Sequence, residues 1–314
     1  MKISKYATIL ALSTAVISGV SGFINKFAVS GFNNPVLFAT IKNSLVAVFI
    51  LGILMIIGRK AELKALNAKQ WIQLSLIGIV GGSVPFALFF TGLSQTSAIN
   101  GALIHKMLFL FVAVLAIPFL KERMAWQQWL GIAIIFFANF FVGGFVGFKL
   151  NAGELMILAA TALWAIENII AKKVLENVSS LTVAGARMVF GSVLLLAYIF
   201  LTSGFADIAK LSGSNWTWTL LTAGFLAGYV LTWYTALKHA PATYVATLLV
   251  PATLVTNLLS AIFITGTFSA ENLMTAVLYA GGIVLLIWFA TRLPASQEKS
   301  AQQKSAVRGG QMAL

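Results

Sequence analysis

Ten separate stretches of this chain are each long and apolar enough to cross a lipid bilayer. A spanning helix needs about 20 mainly apolar residues, because backbone polar groups find no water in hydrocarbon and must bond within the segment. The stretches cover residues 6–29, 35–58, 71–93, 99–120, 126–147, 155–174, 181–202, 216–237, 243–265 and 273–292, spans 1 to 10 in chain order. Only 9% of the 314 residues are charged, against about a quarter in a soluble domain. That is too little charge for a water-facing surface, so lipid must cover most of it. The expected fold class is an all-α integral membrane protein with ten transmembrane helices. Its expected partners are the lipid bilayer and a small-molecule substrate.

The net charge of +13 would suggest nucleic acid in a soluble protein. Here the basic residues cluster in short loops, which points to topology instead of a nucleic-acid partner. With the N-terminus inside, fifteen fall inside: Lys2, Lys5, Arg59, Lys60, Lys64, Lys69, Lys121, Arg123, Lys172, Lys173, Lys238, Arg292, Lys299, Lys304 and Arg308. Only Lys149 and Lys210 fall outside. This asymmetry predicts a multi-pass protein of the plasma membrane with both termini cytoplasmic. The opening "MKISKYATILALSTAVISGVSG" also has the make-up of a signal peptide. Cleaving it would leave nine spans and strand the basic tail outside, so an uncleaved first span fits better. The polar segment 293–314 is expected to be a disordered cytoplasmic tail. Cysteine is absent and there are two histidines, so no metal site or cofactor is expected.

The chain repeats itself. A shift of 144 residues lays span 4 on span 9 and the end of span 3 on the end of span 8: Thr91 meets Thr235, Leu93 meets Leu237, Ala98 meets Ala242, Ala102 meets Ala246, Leu110 meets Leu254 and Phe119 meets Phe263. At a shift of 146, Gly78-x-x-x-Gly82 matches Gly224-x-x-x-Gly228, and Lys26 falls on Lys172; at 145, Lys42 falls on Arg187. The order of matches predicts two five-helix halves, residues 1–147 and 148–292. Five is odd, so the second half must be inserted upside down. Inverted repeats are a hallmark of secondary transporters, with substrate bound near the midplane between the halves.

Three stretches carry a family resemblance: "FLKERMAWQQWLGIAIIFFA" (119–138), "YTALKHAPATYVATLLVPATLV" (234–255) and "ALWAIENIIAKK" (162–173). With ten spans in two halves, the chain resembles the drug/metabolite transporter superfamily in its EamA-like branch. The resemblance implies a central cavity lined by helices 1–4 and 6–9, with helices 5 and 10 peripheral. Gly266 stands at the repeat position of Glu122, Met107 at that of Pro251, and the pair His105-Lys106 is not part of the generic family pattern.

Helical spacing selects faces independently. In span 4, Ala102, His105, Phe109, Ala113 and Ala116 form a stripe whose mate is Ala246, Leu249, Thr253, Asn257 and Ser260. Both stripes are small or polar, so they should face protein or water. Neighbouring residues sit about 100° apart on a helix, so His105 is expected to face the cavity while Lys106 flanks it. The structural alternative is a bonded histidine beside a snorkelling lysine. Span 6 offers Trp164, Glu167, Asn168 and Ala171; its mate in span 1 is Ser18, Ser21, Gly22 and Asn25. Span 8 offers Tyr229, Thr232, Trp233 and Ala236; span 3 offers Pro85, Leu88, Phe89 and Gly92. For the aromatics, packing is the alternative to substrate contact.

A buried charge near a helix centre costs about 2.5–3.5 kcal/mol on insertion scales. Lys42, Lys106, Glu167 and Arg187 each sit several residues inside a predicted helix end. Glu167 and Arg187 are expected at one depth, as a salt bridge or as working groups. Lys42 and Lys106 have no acid at comparable depth, which suits a substrate anion. The predicted substrate-binding set is Lys42, His105, Lys106, Trp164, Glu167, Asn168, Arg187, Tyr229, Trp233, Thr253 and Asn257.

No clustered acid–base set, and no Gly-rich phosphate loop ending in Lys-Ser or Lys-Thr, is present, so neither an enzyme nor an ATP-driven pump is expected. The expected function is export or exchange of small polar metabolites by alternating access at a central cavity. Amino acids are favoured, and phosphorylated or nucleotide-linked organic anions are the alternative. A channel or non-transporting membrane protein is the alternative of a different class.

Overall fold

A computed structural model of the protein describes residues 4–58, 60–122, 124, 126–138, 147–202, 207–266 and 273–288. The expected tail, and the last part of span 5, lie outside the described residues. Among the described residues the ten apolar helices are α1 (Lys5–Ser30), α2 (Pro35–Ile56), α3 (Ala68–Ser94), α4 (Ala98–Leu120), α5 (Trp126–Ala138), α6 (Ala152–Val174), α7 (Ser180–Thr202), α8 (Gly213–His239), α9 (Ala242–Ile264) and α10 (Leu273–Trp288), and a short helix, Lys60–Ala65, lies between α2 and α3. Of the ten, all but α5 and α10 exceed the length needed to cross a membrane. The chain is an all-α multi-pass membrane protein built from two inverted five-helix repeats.

Several helices begin up to three residues before the apolar run does. The reason is capping: a polar side chain just ahead of a helix satisfies one of its orphan N–H groups and extends it into polar sequence. Asn151 Oδ1 accepts from Glu154 N at 2.9 Å, Asn67 Oδ1 from Gln70 N at 2.9 Å, and Ser212 Oγ from Asn215 N at 3.2 Å.

The packing follows the repeat. In one direction α1 lies against α8 and α9; in the other, its mate α6 lies against their mates α3 and α4. The pair α2 and α7, mates of one another, pack together. At the side, α5 meets α10 where a methyl group on Gly131 would touch the Gly282 carbonyl at 3.0 Å. The backbones of α3 and α7 cross so closely at Gly82 and Gly191 that a methyl group on either meets the other's main chain. Such close approach is what small residues permit in lipid, where dispersion contacts rather than water exclusion hold helices together.

Two lysines repeat one structural device. Lys26 Nζ, near the end of α1, donates to Leu93 O at 2.8 Å and Thr96 O at 2.6 Å. Lys172 Nζ, near the end of α6, donates to Leu237 O at 2.6 Å and Ala240 O at 2.7 Å. Each ammonium therefore satisfies carbonyls at the C-terminal end of the next-but-one helix, α3 or α8, where the helix itself supplies no donor.

Helices α4 and α9 are both interrupted, at Met107 and over residues 248–251. Met107 and Pro251 share a conformation: φ −62°, ψ −7° and φ −55°, ψ −13°. Their carbonyls accept matching bonds, from Leu110 N at 2.9 Å and Phe111 N at 3.4 Å, and from Leu254 N at 3.0 Å and Val255 N at 3.4 Å. Met107 retains its N–H, which donates to Ile104 O at 3.0 Å; Pro251 has no N–H to donate.

Candidate substrate cavity

A cavity with room for water, about 70 Å³, lies among α1, α2, α3, α4, α6, α7 and α8. Eight of the predicted residues line it: Lys42, His105, Trp164, Glu167, Asn168, Arg187, Tyr229 and Trp233. So do Ser18, Ser21, Gly22 and Asn25 on the mate face of α1, and Phe86, Phe89, Phe90, Leu108 and Leu226.

Three predicted residues stand elsewhere. Lys106 is buried behind the wall and donates to Ser18 Oγ at 2.6 Å. It reaches the cavity only through that serine. Thr253 pairs with Tyr279 Oη of the peripheral helix α10 at 2.6 Å, and Ala246 and Leu249 of the same stripe are also not among the lining residues. Asn257, one turn on, is buried and is likewise not among the lining residues.

Of the two readings of Glu167 and Arg187, the salt bridge is not formed. Glu167 Oε1 accepts from Tyr234 Oη at 2.5 Å, and Arg187 Nη2 donates to Gly81 O at 3.1 Å. Glu167 Oε2 and Arg187 Nε are buried without a hydrogen-bond partner. Gly81 sits between the two side chains: a methyl group there would collide with Glu167 and stand 3.2 Å from Arg187 Nε.

The local structure of α3 explains this arrangement. Residues Gly78–Ser83 form a π turn, a local widening of the kind that recurs at functional sites. Pro85 has no N–H, so in an α-helical register it cannot bond the carbonyl four residues back, and that carbonyl is Gly81 O. The freed oxygen accepts from Trp164 Nε1 at 2.9 Å as well as from Arg187 Nη2. Next along, Gly82 O accepts from Asn43 Nδ2 at 3.1 Å. The turn thus aims one aromatic and one cation from other helices.

The remaining walls are aromatic. The His105 ring lies 4.9 Å from Trp164 and 5.3 Å from Phe89, centroid to centroid. Tyr229 stacks on Trp233, whose Nε1 donates to Asn168 Oδ1 at 2.8 Å. Lys42 Nζ sits 3.9 Å from the Phe90 centroid and 5.0 Å from that of Phe38, and its polar contact is Asn25 Oδ1 at 3.3 Å. Rings hold a cation without neutralising it.

Sequence reasoning missed Gly81 and Tyr234. Pro85, four residues after Gly81, was the available signal for the first. The tyrosine had none, since its neighbour Trp233 occupies the lining stripe.

Comparison with known proteins bears on this arrangement. The model of the EamA-like transporter family matches residues 5–144 and again 151–288. "Uncharacterized transporter YyaM" of Bacillus subtilis (strain 168) is 28% identical over 90% of this chain and 96% of its own length. "Uncharacterized transporter YvbV" of the same organism is 28% identical over 98% and 97%. A transporter of Methanothermobacter thermautotrophicus is 22% identical over 88% and 84%. One solved crystal structure shares the fold, with a TM-score of 0.73 at 16% identity, over 91% of this chain and 98% of its own.

Proposed function

The chain belongs to the EamA-like transporter family, a family of membrane transporters, and on that premise we propose that it exports or exchanges small amino acids. The observation that carries this reading is the pair of orphaned atoms, Glu167 Oε2 and Arg187 Nε, on either side of Gly81 in one cavity. An unsatisfied buried polar group is costly, and here the two have opposite formal charge. An α-ammonium on the carboxylate and an α-carboxylate on the guanidinium satisfy both. The aromatic walls supply apolar contact for a side chain. Alternating access is supported by the matched breaks in α4 and α9, since discontinuous helices at an inverted-repeat interface frame such sites.

Lys42 and Lys106, buried without an acid beside them, favour organic phosphates as a second reading. In both readings the loops between α2 and α3, α4 and α5, and α6 and α7 face the cytoplasm across the plasma membrane, following their basic residues. Reporter fusions after Leu66 and Gly213 should then give cytoplasmic and external signals. A cytoplasmic signal at Gly213 would overturn that orientation. Counterflow in proteoliposomes, with a panel of amino acids and organic phosphates, tests the substrate. Movement of amino acids is expected; movement of phosphates alone would replace the first reading by the second.

A further inference from the structure

The formal charges around the cavity do not balance. Lys42, Lys106 and Arg187 are each at most 4% exposed. Against three cations, Glu167 is the one carboxylate among the described lining residues. A neutral amino acid brings one negative and one positive group, so it leaves that excess unchanged. In a low-dielectric interior an uncompensated charge is expensive.

The excess also has a location. Glu167 and Arg187 flank Gly81, with the Glu167 carboxyl carbon and Arg187 Nε 3.0 and 3.2 Å from the position of a methyl group there. Lys42 and Arg187 share the ring of Phe86: Lys42 Nζ is 5.8 Å from its centroid and Arg187 Cζ is 5.5 Å from it. The two cations are therefore no more than about 11 Å apart. Lys42 meets Asn25, whose Nδ2 donates to Ser21 Oγ at 3.0 Å, and Ser18, one turn further along the same face of α1, also lines the cavity. Ser18 Oγ accepts from Lys106, which leaves its own O–H free to donate into the cavity.

We propose that the cavity selects substrates with one ammonium and two anionic groups, of which the acidic amino acids are the smallest. Arg187 and Glu167 take the α-carboxylate and α-ammonium. Lys42 and the Ser18 hydroxyl take the second carboxylate. Lys106 is a positioning residue that orients Ser18. This assignment rests on the amino-acid reading above and narrows it. A dicarboxylate lacking the ammonium meets Glu167 with like charge, and a neutral amino acid leaves Lys42 unmatched.

The test compares near-isosteres in proteoliposomes holding the full chain: glutamate, glutamine and glutarate. Glutamate should be preferred over each of the others by about tenfold or more in half-saturation, as expected for an unmatched buried charge. Lys42→Gln should bring the glutamate-to-glutamine ratio close to one while glutamine still moves. Should Lys42→Gln fail to assemble, Lys42→Arg and Ser18→Ala decide: the first should keep the preference and the second narrow it. A preference that survives Lys42→Gln, or survives Ser18→Ala unchanged, overturns the proposal. Equal transport of glutamine and glutamate by the parent overturns it too, and leaves the amino-acid reading standing. Transport of none of the ammonium-bearing compounds overturns both.

Discussion

The two repeats agree at their helix ends and differ where they face the cavity. Lys26 and Lys172 do the same work at equivalent places, each donating to a pair of carbonyls at the end of a neighbouring helix. Met107 and Pro251 adopt one conformation in different residue types. At the cavity the correspondence breaks down. Ser18 and Ser21 in α1 stand where α6 has Trp164 and Glu167, and Lys42 stands where α7 has Arg187. In α3 a π turn occupies the region that α8 passes as continuous helix. The lesson is a division of labour. Backbone satisfaction is needed equally in both halves, because hydrocarbon tolerates no unpaired backbone groups. A small asymmetric ligand needs different partners on its two sides.

That division can be broken most directly at the divergent positions. Glu167→Gln keeps an acceptor for Tyr234 but removes the negative charge. Flux of amino acids should fall by about 100-fold, the scale of a lost buried charged contact, with a nearly unchanged melting temperature. A large loss of thermal stability instead would make Glu167 a structural group like the lysines. Gly82→Ala should act on packing, lowering stability by about 1–3 kcal/mol or more through the crossing with α7; a variant with parental unfolding would mean that the close approach is not needed. The matched lysines sharpen the comparison from the other side. Lys26→Met and Lys172→Met each orphan two carbonyls and should destabilise to a similar degree, about 1–3 kcal/mol, without altering substrate preference. Unequal losses, or a changed preference in either, would show that the repeat does not divide labour this way. The smallest effect is expected from Met107→Pro, which installs the residue of the other half. Its backbone angles already suit proline, so stability should stay within about 1 kcal/mol of the parent despite one lost hydrogen bond. Unfolding of that variant in detergent would mean that the two breaks are alike in shape only.

Most of the architecture was legible in the chain, since lipid leaves few options. Ten apolar runs admit helices and little else, and an odd number per repeat forces the inversion. The lining of α1, α6 and α8 followed from helical spacing, because those helices are regular through the cavity. The stripe of α9 did not follow. No member of that stripe lines the cavity, before the break at 248–251 or after it, and Thr253 meets Tyr279 of α10 instead. Spacing selects a face of a helix but not the neighbour that face meets. Between the two readings of Glu167 and Arg187, sequence could not choose. Depth alone suggested contact, but a backbone carbonyl released by Pro85 drew the arginine to Gly81, and Tyr234 claimed one oxygen of the glutamate. Irregular backbone competes with side chains for their partners, and competition of that kind leaves only faint marks in a sequence.

A carbonyl oxygen has two lone pairs, and those of Gly81 both point at donors, one on α6 and one on α7. In mechanical terms this atom is a three-way joint. Any rotation of α3 about its axis must stretch two bonds at once or carry both neighbours along. The stiff part of the molecule is therefore the trio of α3, α6 and α7, and compliance is left to α4 and α9, whose ladders are already interrupted. Relaxation measurements on methyl groups should find the slow exchange around residues 107 and 248–251, and a quiet core around residue 81.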